Sequence, residues 1–220
     1  MKREVVQTAD GSMTIHIPEM NENYHSGHGA LQEAKHVFLQ NGLLEFKDRG
    51  EVAVFEMGFG TGLNAFLTME YCELKRKKLR YTGIEAFPVD FEMAKAMKYE
   101  SSVDSFVSSY FDEIHKCTWN EVHQLTDLFS FQKLHLKIEN YIPANDTFDL
   151  IYFDAFGPRA QGDMWEISIL TKMHQILKPG GLFVTYCAKG QLKRDLKSLG
   201  FKVESLPGPP GKREMTRGWK

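Results

Sequence analysis

Three acids and a set of glycines carry the chemistry open to this chain. Glu56 follows the apolar run Val52–Phe55 and precedes Gly58, Gly60 and Gly62 in the segment VAVFEMGFGTGLN, residues 52–64. Glycines so spaced give a tight turn and let a ligand approach the backbone. Unpaired N–H groups at the start of the helix that follows can then receive an acceptor group of a nucleotide or nucleoside. A second run, YTGIEAF (81–87), carries Glu85 at its end. An acid at that point of a strand–helix–strand unit can accept both hydroxyls of a ribose. The spacing is G-x-G-x-G with Leu63 and Asn64 behind it, not the G-x-G-x-x-G of dinucleotide sites. An acid two residues before the first glycine suits a cationic amino-acid tail. The third acid, Asp154, follows the run FDLIYF in DAFGP (154–158). It can orient an amine and take up its proton, while Phe156 can stack on a base or wall a pocket.

Several elements must position these groups. The spacing predicts a hairpin over Val5–Ile17 turning at Asp10-Gly11, and a helix from Leu31 to about Leu44 that Asn41-Gly42 can end early. Strands are expected at Val52–Phe55, Tyr81–Phe87, Leu134–Glu139, Phe148–Phe156, Leu182–Cys187, Phe201–Leu206 and around Arg213–Gly218. Helices are expected after the glycine turn, with Lys75–Lys78 at the C-terminal end, then from Pro88 to about Lys98, and from Gln191 to about Leu199. Trp119, Val122, Leu125 and Phe129 have helical spacing, so 101–131 reads as one or two helices. Lys178–Gly181 reads as a tight turn. The alternation implies an α/β fold, Rossmann-like and doubly wound. Its sheet would be mostly parallel and seven-stranded, with helices on both faces and ligands at the carboxyl ends of the strands. The expected division is an N-terminal extension, 1–50, packed on a catalytic domain, 51–220.

Composition narrows the class. With 42% hydrophobic and 25% charged residues among 220, the chain has the make-up of a globular domain with a sizeable core. No apolar run approaches the ~20 residues of a membrane span, and the start, MKREVVQTADG, has no signal-peptide core. Cys72, Cys117 and Cys187 are few, odd in number and widely spaced, which points to a reducing, cytoplasmic setting. His25, His28 and His36 lack the spacing of a metal pair, and no metal is expected. The net charge of −2 excludes a uniformly basic nucleic-acid binder, but 189–220 holds nine Lys or Arg against three Asp or Glu. That excess is either a solvated face or a phosphate-contacting surface.

The E-x-G-x-G-x-G turn resembles the first motif of the class I methyltransferases. Four segments together resemble the methyltransferase domain of the bifunctional tRNA wobble-uridine enzymes called MnmC and its stand-alone relatives. They are YHS-x-x-GAL-x-E-x-x-HVFL (24–39), E-x-GFGTGLN (56–64), DAF-x-P with a downstream D-M-W (154–158 and 163–165), and GKREM (211–215). The resemblance implies S-adenosyl-L-methionine as cofactor. It also implies N-methylation of the exocyclic amine of 5-aminomethyluridine, often 2-thiolated, at the tRNA wobble position. On it, Glu56, Gly58, Gly60, Gly62 and Asn64 would hold the methionine part and Glu85 the ribose. Glu139 would lie near the adenine, and Tyr24, His25 and Ser26 would cover the cofactor. Asp154 and Phe156 would hold the acceptor amine and base, with Pro158, Lys189, Lys212, Arg213 and Arg217 toward the tRNA. The family's second domain, a flavin-dependent oxidase, has no counterpart before Lys220, so a separate FAD-dependent oxidase is an expected partner. Gly157 stands where the family often has alanine. A small-molecule amine as acceptor, and a non-catalytic RNA-binding module of the same fold, are the alternative readings.

Overall fold

A computed structural model describes residues 2–142 and 144–220. The chain opens with a hairpin, β1 (Glu4–Gln7) and β2 (Met13–Ile17), extended by the short β3 (Glu22–Asn23). Its turn is held by the Asp10 carboxylate, which accepts from Ser12 N–H at 3.0 Å. The helix α1 (Ala30–Ala34) runs into a π-helical stretch, Lys35–Gln40. It ends where Asn41 Nδ2 donates to His36 O at 2.8 Å, the early stop expected of Asn41-Gly42. A 3-10 turn, Leu43–Phe46, leads to β4 (Glu51–Met57).

The glycine turn connects β4 to α2 (Leu63–Lys75), after which Arg76 takes a left-handed conformation and β5 (Lys78–Glu85) begins. Next come α3 (Phe91–Lys95), α4 (Tyr110–Lys116), β6 (Val122–Gln124) and β7 (Phe129–His135). The remainder alternates β8 (Phe148–Phe153), α5 (Ile167–Ile176), β9 (Leu177–Thr185), α6 (Gly190–Ser198), β10 (Lys202–Pro207) and β11 (Glu214–Trp219).

Strands β4 to β11 form one sheet in the order β10-β11-β9-β8-β4-β5-β7-β6. The central pairings β9·β8, β8·β4, β4·β5 and β5·β7 are parallel, and the outer ones are antiparallel. Central strands β4 and β8 are buried on both faces, as continuous apolar runs in a covered parallel sheet require. One face packs α2, α4 and the π-helical stretch after α1 through Phe38, Phe66, Phe111 and Tyr152. The other packs α5 and α6 through Phe55, Leu170, Ile176 and Leu196. At the base of the sheet the buried Asp149 carboxylate accepts from Arg49 (2.6 Å), Lys178 (2.9 Å) and Ala53 N–H (2.9 Å), fastening β4, β8 and β9 together.

Among the described residues the sheet has eight strands rather than the expected seven. The additional one, β6, sits at the edge in a region read as helical, and the third expected strand begins at Phe129 instead of Leu134. The inward positions of β7 are Phe129, Phe131 and Lys133. A lysine at the third breaks the apolar alternation that would reveal the strand. Its ammonium donates to His115 O and lies 4.7 Å from the Trp119 ring centroid, which is how it is accommodated. Only Tyr110–Lys116 of 101–131 is α-helical. The helix expected from Pro88 is confined to Phe91–Lys95, because Asp90 Oδ1 caps Met93 N–H at 2.9 Å. Lys178–Gly181 lies inside β9 as an irregularity in its register rather than before it.

Candidate active site

The parallel register sets Glu56 opposite Gly83 and Tyr152, and Met57 opposite Phe153, so β4, β5 and β8 end side by side. The loops leaving these ends are tied to one another: Gly58 N–H and Phe59 N–H donate to Ile84 O, and Asp154 N–H to Met57 O. Gly58 has φ +90°, and a Cβ there would lie 2.7 Å from Asp154 O. Gly60 has φ +52°, and a Cβ there would lie 3.2 Å from the Tyr24 ring. A side chain at 58 would displace backbone, and one at 60 would press on the Tyr24 ring at a left-handed φ.

A cavity of about 240 Å³ opens over these strand ends. Seven of the residues expected at the cofactor line it, Tyr24, His25, Gly58, Gly60, Asn64, Glu85 and Glu139, together with Asp154, expected at the acceptor amine. Phe156 lines it as well, edge-on to Tyr24 at 5.0 Å between ring centroids. Glu85 is held from both sides, accepting from Gly60 N–H (2.9 Å) and Phe87 N–H (2.8 Å). Arg3 pins the adjoining loop by donating to Phe87 O and Pro88 O. Glu139 stands at the exposed rim, in a turn after β7 rather than at a strand end.

Three expected residues lie outside this lining. Gly62 shapes the turn, where a Cβ would meet His115 and Phe59. Ser26 faces a neighbouring cavity. Glu56 is buried behind the cavity floor at 1% exposure. Asn64 bridges it to the site, with Nδ2 donating to Glu56 Oε1 (3.0 Å) and to Asp154 Oδ2 (2.8 Å). The apolar lining from Phe59, Ile84, Phe87, Leu136 and Ile138 was not read from the sequence, nor was that from Gln161 and Asp163. Asp163 was within reach, since it opens the D-M-W motif. Trp165 of that motif donates from Nε1 to Phe156 O at 2.8 Å and so fixes the Asp154–Pro158 loop.

Burial dominates the electrostatics. Glu56 is pushed well above the ordinary carboxylate range by burial and then by Asp154, opposed by the Asn64 hydrogen bond. Asp154 is raised to about 7 by burial and then by the Glu33 carboxylate, with Asn64 and Lys212 pulling the other way. Burial lowers His25 to about 4, so its ring is neutral at pH 7. Glu56 Oε2 and Asn64 Oδ1 are buried without a hydrogen-bond partner among the described residues. Two unmatched oxygens beneath a cavity with close backbone approach fit a ligand that brings a cationic amino-acid group, whose charge would favour the ionised Glu56 that burial disfavours. A nucleoside ribose would find Glu85 beside it.

Beyond Phe156 the surface is basic. Pro158, Lys189, Lys212 and Arg213 line one groove with Tyr186 and Cys187. Lys212 pairs with the buried Glu33 and lies 3.9 Å over the Tyr186 ring centroid. Arg217 is not in this groove. Its guanidinium is paired with Glu45 and Glu204 and only 15% exposed, so it fastens β11 to its neighbours.

The profile of a family described as S-adenosyl-L-methionine-dependent methyltransferase matches residues 97–220. The chain belongs to this family. The methyltransferase is also similar to curated proteins named tRNA 5-methylaminomethyl-2-thiouridine biosynthesis bifunctional protein MnmC. The Leptospira interrogans one is 30% identical over 229 residues, covering 96% of this chain and 34% of its own length. The Chromobacterium violaceum one is 27% identical over 208 residues, covering 89% and 32%. The methyltransferase thus spans about a third of the length of these relatives. Among solved structures, MNMC2 from Aquifex aeolicus superposes with a TM-score of 0.78 at 22% identity, over 99% of this chain and 70% of that one. It shares the fold, as the class I reading implied.

Proposed function

We propose that this methyltransferase methylates the exocyclic amine of 5-aminomethyluridine, with or without 2-thiolation, at the wobble position of tRNA in the cytoplasm. The observation that carries the reading is Asp154. Its carboxylate is anchored by Asn64 at 2.8 Å in the cofactor cavity, on the loop whose next residues separate that cavity from the basic groove. The names of the curated relatives support the same acceptor.

Asn64, backed by Glu56, would hold the amino-acid end of S-adenosyl-L-methionine, and Glu85 the ribose. Apolar Phe87, Leu136 and Ile138 would flank the adenine, with Glu139 at the rim. When bound, the cofactor supplies a methyl group made electrophilic by its sulfonium. An alkylammonium has no lone pair to attack it, so the acceptor must first lose a proton. Asp154 orients that amine and accepts the proton, and its elevated pKa of about 7 matches it to that task near neutral pH. Phe156 and Tyr24 wall the junction and restrict the approach to one line. Lys189 and Arg213, which line the groove beside the ion-paired Lys212, attract the RNA backbone. The free amine would be supplied by a flavin-dependent oxidase acting on the same nucleoside.

A competition experiment tests the acceptor class. Methyl-labelled S-adenosyl-L-methionine is offered with an anticodon stem-loop carrying 5-aminomethyluridine and an equal amount of mixed small alkylamines. Label in the RNA is the expected result, whereas label in the alkylamines alone would overturn the tRNA reading.

A further inference from the structure

A second cavity, of about 330 Å³, adjoins the cofactor cavity and shares Tyr24, His25, Ala155 and Phe156 with it. Its far wall comes from the N-terminal hairpin and the turn behind it, with Tyr186 and Lys212 closing the other side. A group entering from the basic groove passes Tyr186 and Lys212, which line both spaces, before it reaches Phe156.

Three polar side chains of this cavity, Asn23, Glu33 and Lys212, bear on its chemistry. Asn23 Oδ1 is engaged by His16 Nδ1 at 2.8 Å, which leaves the Asn23 amide N–H₂ as the free side. That nitrogen lies beside Gly27, where a Cβ would be 4.0 Å away. The preceding residue, Ser26, donates its N–H to Glu33 Oε1 at 3.0 Å. The other Glu33 oxygen holds the Lys212 ammonium, steadied on the face of Tyr186. The cavity is therefore lined by a donor, an acceptor and a donor, the Asn23 amide, the Glu33 carboxylate and the Lys212 ammonium, with the last two in direct contact. Each keeps unused capacity, because a carboxylate offers about four lone-pair sites and an ammonium three donors.

The complement of that wall is a planar edge that reads acceptor, donor, acceptor. A uracil or 2-thiouracil ring has this edge in C4=O, N3–H and C2=O or C2=S. Cytosine presents acceptor, acceptor and donor instead, and would set its amine against a donor and its bare N3 against the Glu33 carboxylate. We propose that Asn23, Glu33 and Lys212 form a base-reading site for a uracil-type edge, an assignment that rests on the acceptor proposed above. Reading that edge leaves a 5-substituent free to reach Asp154. It also requires the base to be unpaired, as in an anticodon loop. The N-terminal extension is then a specificity element and more than a cover for the cofactor.

The test uses the full chain and two anticodon stem-loops that differ only in the modified base, 5-aminomethyluridine or 5-aminomethylcytidine. Methylation by wild type, Asn23→Ala and Asn23→Asp is followed, with S-adenosylhomocysteine affinity and melting temperature as controls for the cofactor site and the fold. Wild type is expected to favour the uridine about 100-fold, since mismatched buried polar groups are strongly rejected. Asn23→Ala should lower kcat/KM on uridine about fivefold. Asn23→Asp, which turns a donor into an acceptor, should lower it further, and both should leave the cofactor affinity unchanged. Equal use of the two bases by wild type, or full activity of both variants on uridine, would overturn the base-reading site while sparing the methylation itself. Methylation of neither stem-loop despite tight S-adenosylhomocysteine binding would overturn the acceptor assignment and this site with it.

Discussion

Asp154 is buried, with the Glu33 carboxylate acting on it in addition, and this sets the pH range of the enzyme. Burial and Glu33 raise it to about 7. Only its ionised form accepts a proton, so activity is present above that value and lost as the pH falls through it. The kcat/KM for methyl transfer, which reports the ligand-free enzyme, should show an acid limb with a midpoint near 7. Asp154→Asn should lower the rate about 10²- to 10⁴-fold and remove that limb. A midpoint in the ordinary carboxylate range would contradict the assignment. Asp154, Phe156 and Glu85 were legible in the sequence because each closes an apolar run beside small or turn-forming residues. Glu56 was legible as an acid but not in its position: the room for its buried carboxyl comes from Gly83 on the parallel neighbour, where a Cβ would lie 3.4 Å from Glu56 Oε2. Asn23, Glu33 and Tyr186 were not read as site residues. They come from separate segments that only the folded chain brings to one cavity.

At the scale of elements, the loops over the sheet differ sharply in what they tolerate. Gly58→Ala forces a Cβ to 2.7 Å from Asp154 O at a left-handed φ. It should cost about 1–3 kcal/mol and abolish S-adenosylhomocysteine binding, which calorimetry and thermal melting would measure together. Gly157 is the opposite case: a Cβ would make ordinary contact with Tyr186 Oη at 3.7 Å, and its φ is not positive. Gly157→Ala should therefore keep activity and raise stability by about 0.4–1 kcal/mol, read from denaturant midpoints. Strands β4, β5 and β8 were legible because apolar runs with acids at or near their ends are how covered parallel strands look in sequence. β6 and the start of β7 were not, because Lys133 occupies an inward position and Trp119, Val122, Leu125 and Phe129 imitate helical spacing across two strands and their loops.

For the whole molecule, the two ends of the sheet have separate duties. The base is fastened by Asp149, which binds Arg49, Lys178 and the Ala53 N–H far from the site. Because Arg49 and Lys178 are partly exposed and can regain water, Asp149→Ala should cost about 2 kcal/mol. That corresponds to a drop of about 4–8 °C in Tm, with cofactor affinity preserved. The opposite end meets the ligand. Much of the positive charge noted in 189–220 is structural, since Lys193, Arg217 and Lys220 are ion-paired within the fold. Charge counting could not separate these from Lys189 and Arg213, which line the groove. Affinity for tRNA should fall as salt rises, and Lys189→Glu or Arg213→Glu should each reduce the slope of that dependence by about one. Among the described residues no helix is long and apolar enough to cross a membrane.

The central claim is that the amine presented to Asp154 belongs to a wobble uridine. Its most direct test is to incubate the protein with methyl-labelled S-adenosyl-L-methionine and bulk tRNA from cells that accumulate aminomethyl wobble uridine, then to digest the RNA and identify the labelled nucleoside by mass spectrometry. Label in 5-methylaminomethyluridine or its 2-thio form, absent with Asp154→Asn, is the expected result. Label in another nucleoside, or none in tRNA from a protein that still binds S-adenosylhomocysteine, would contradict the account.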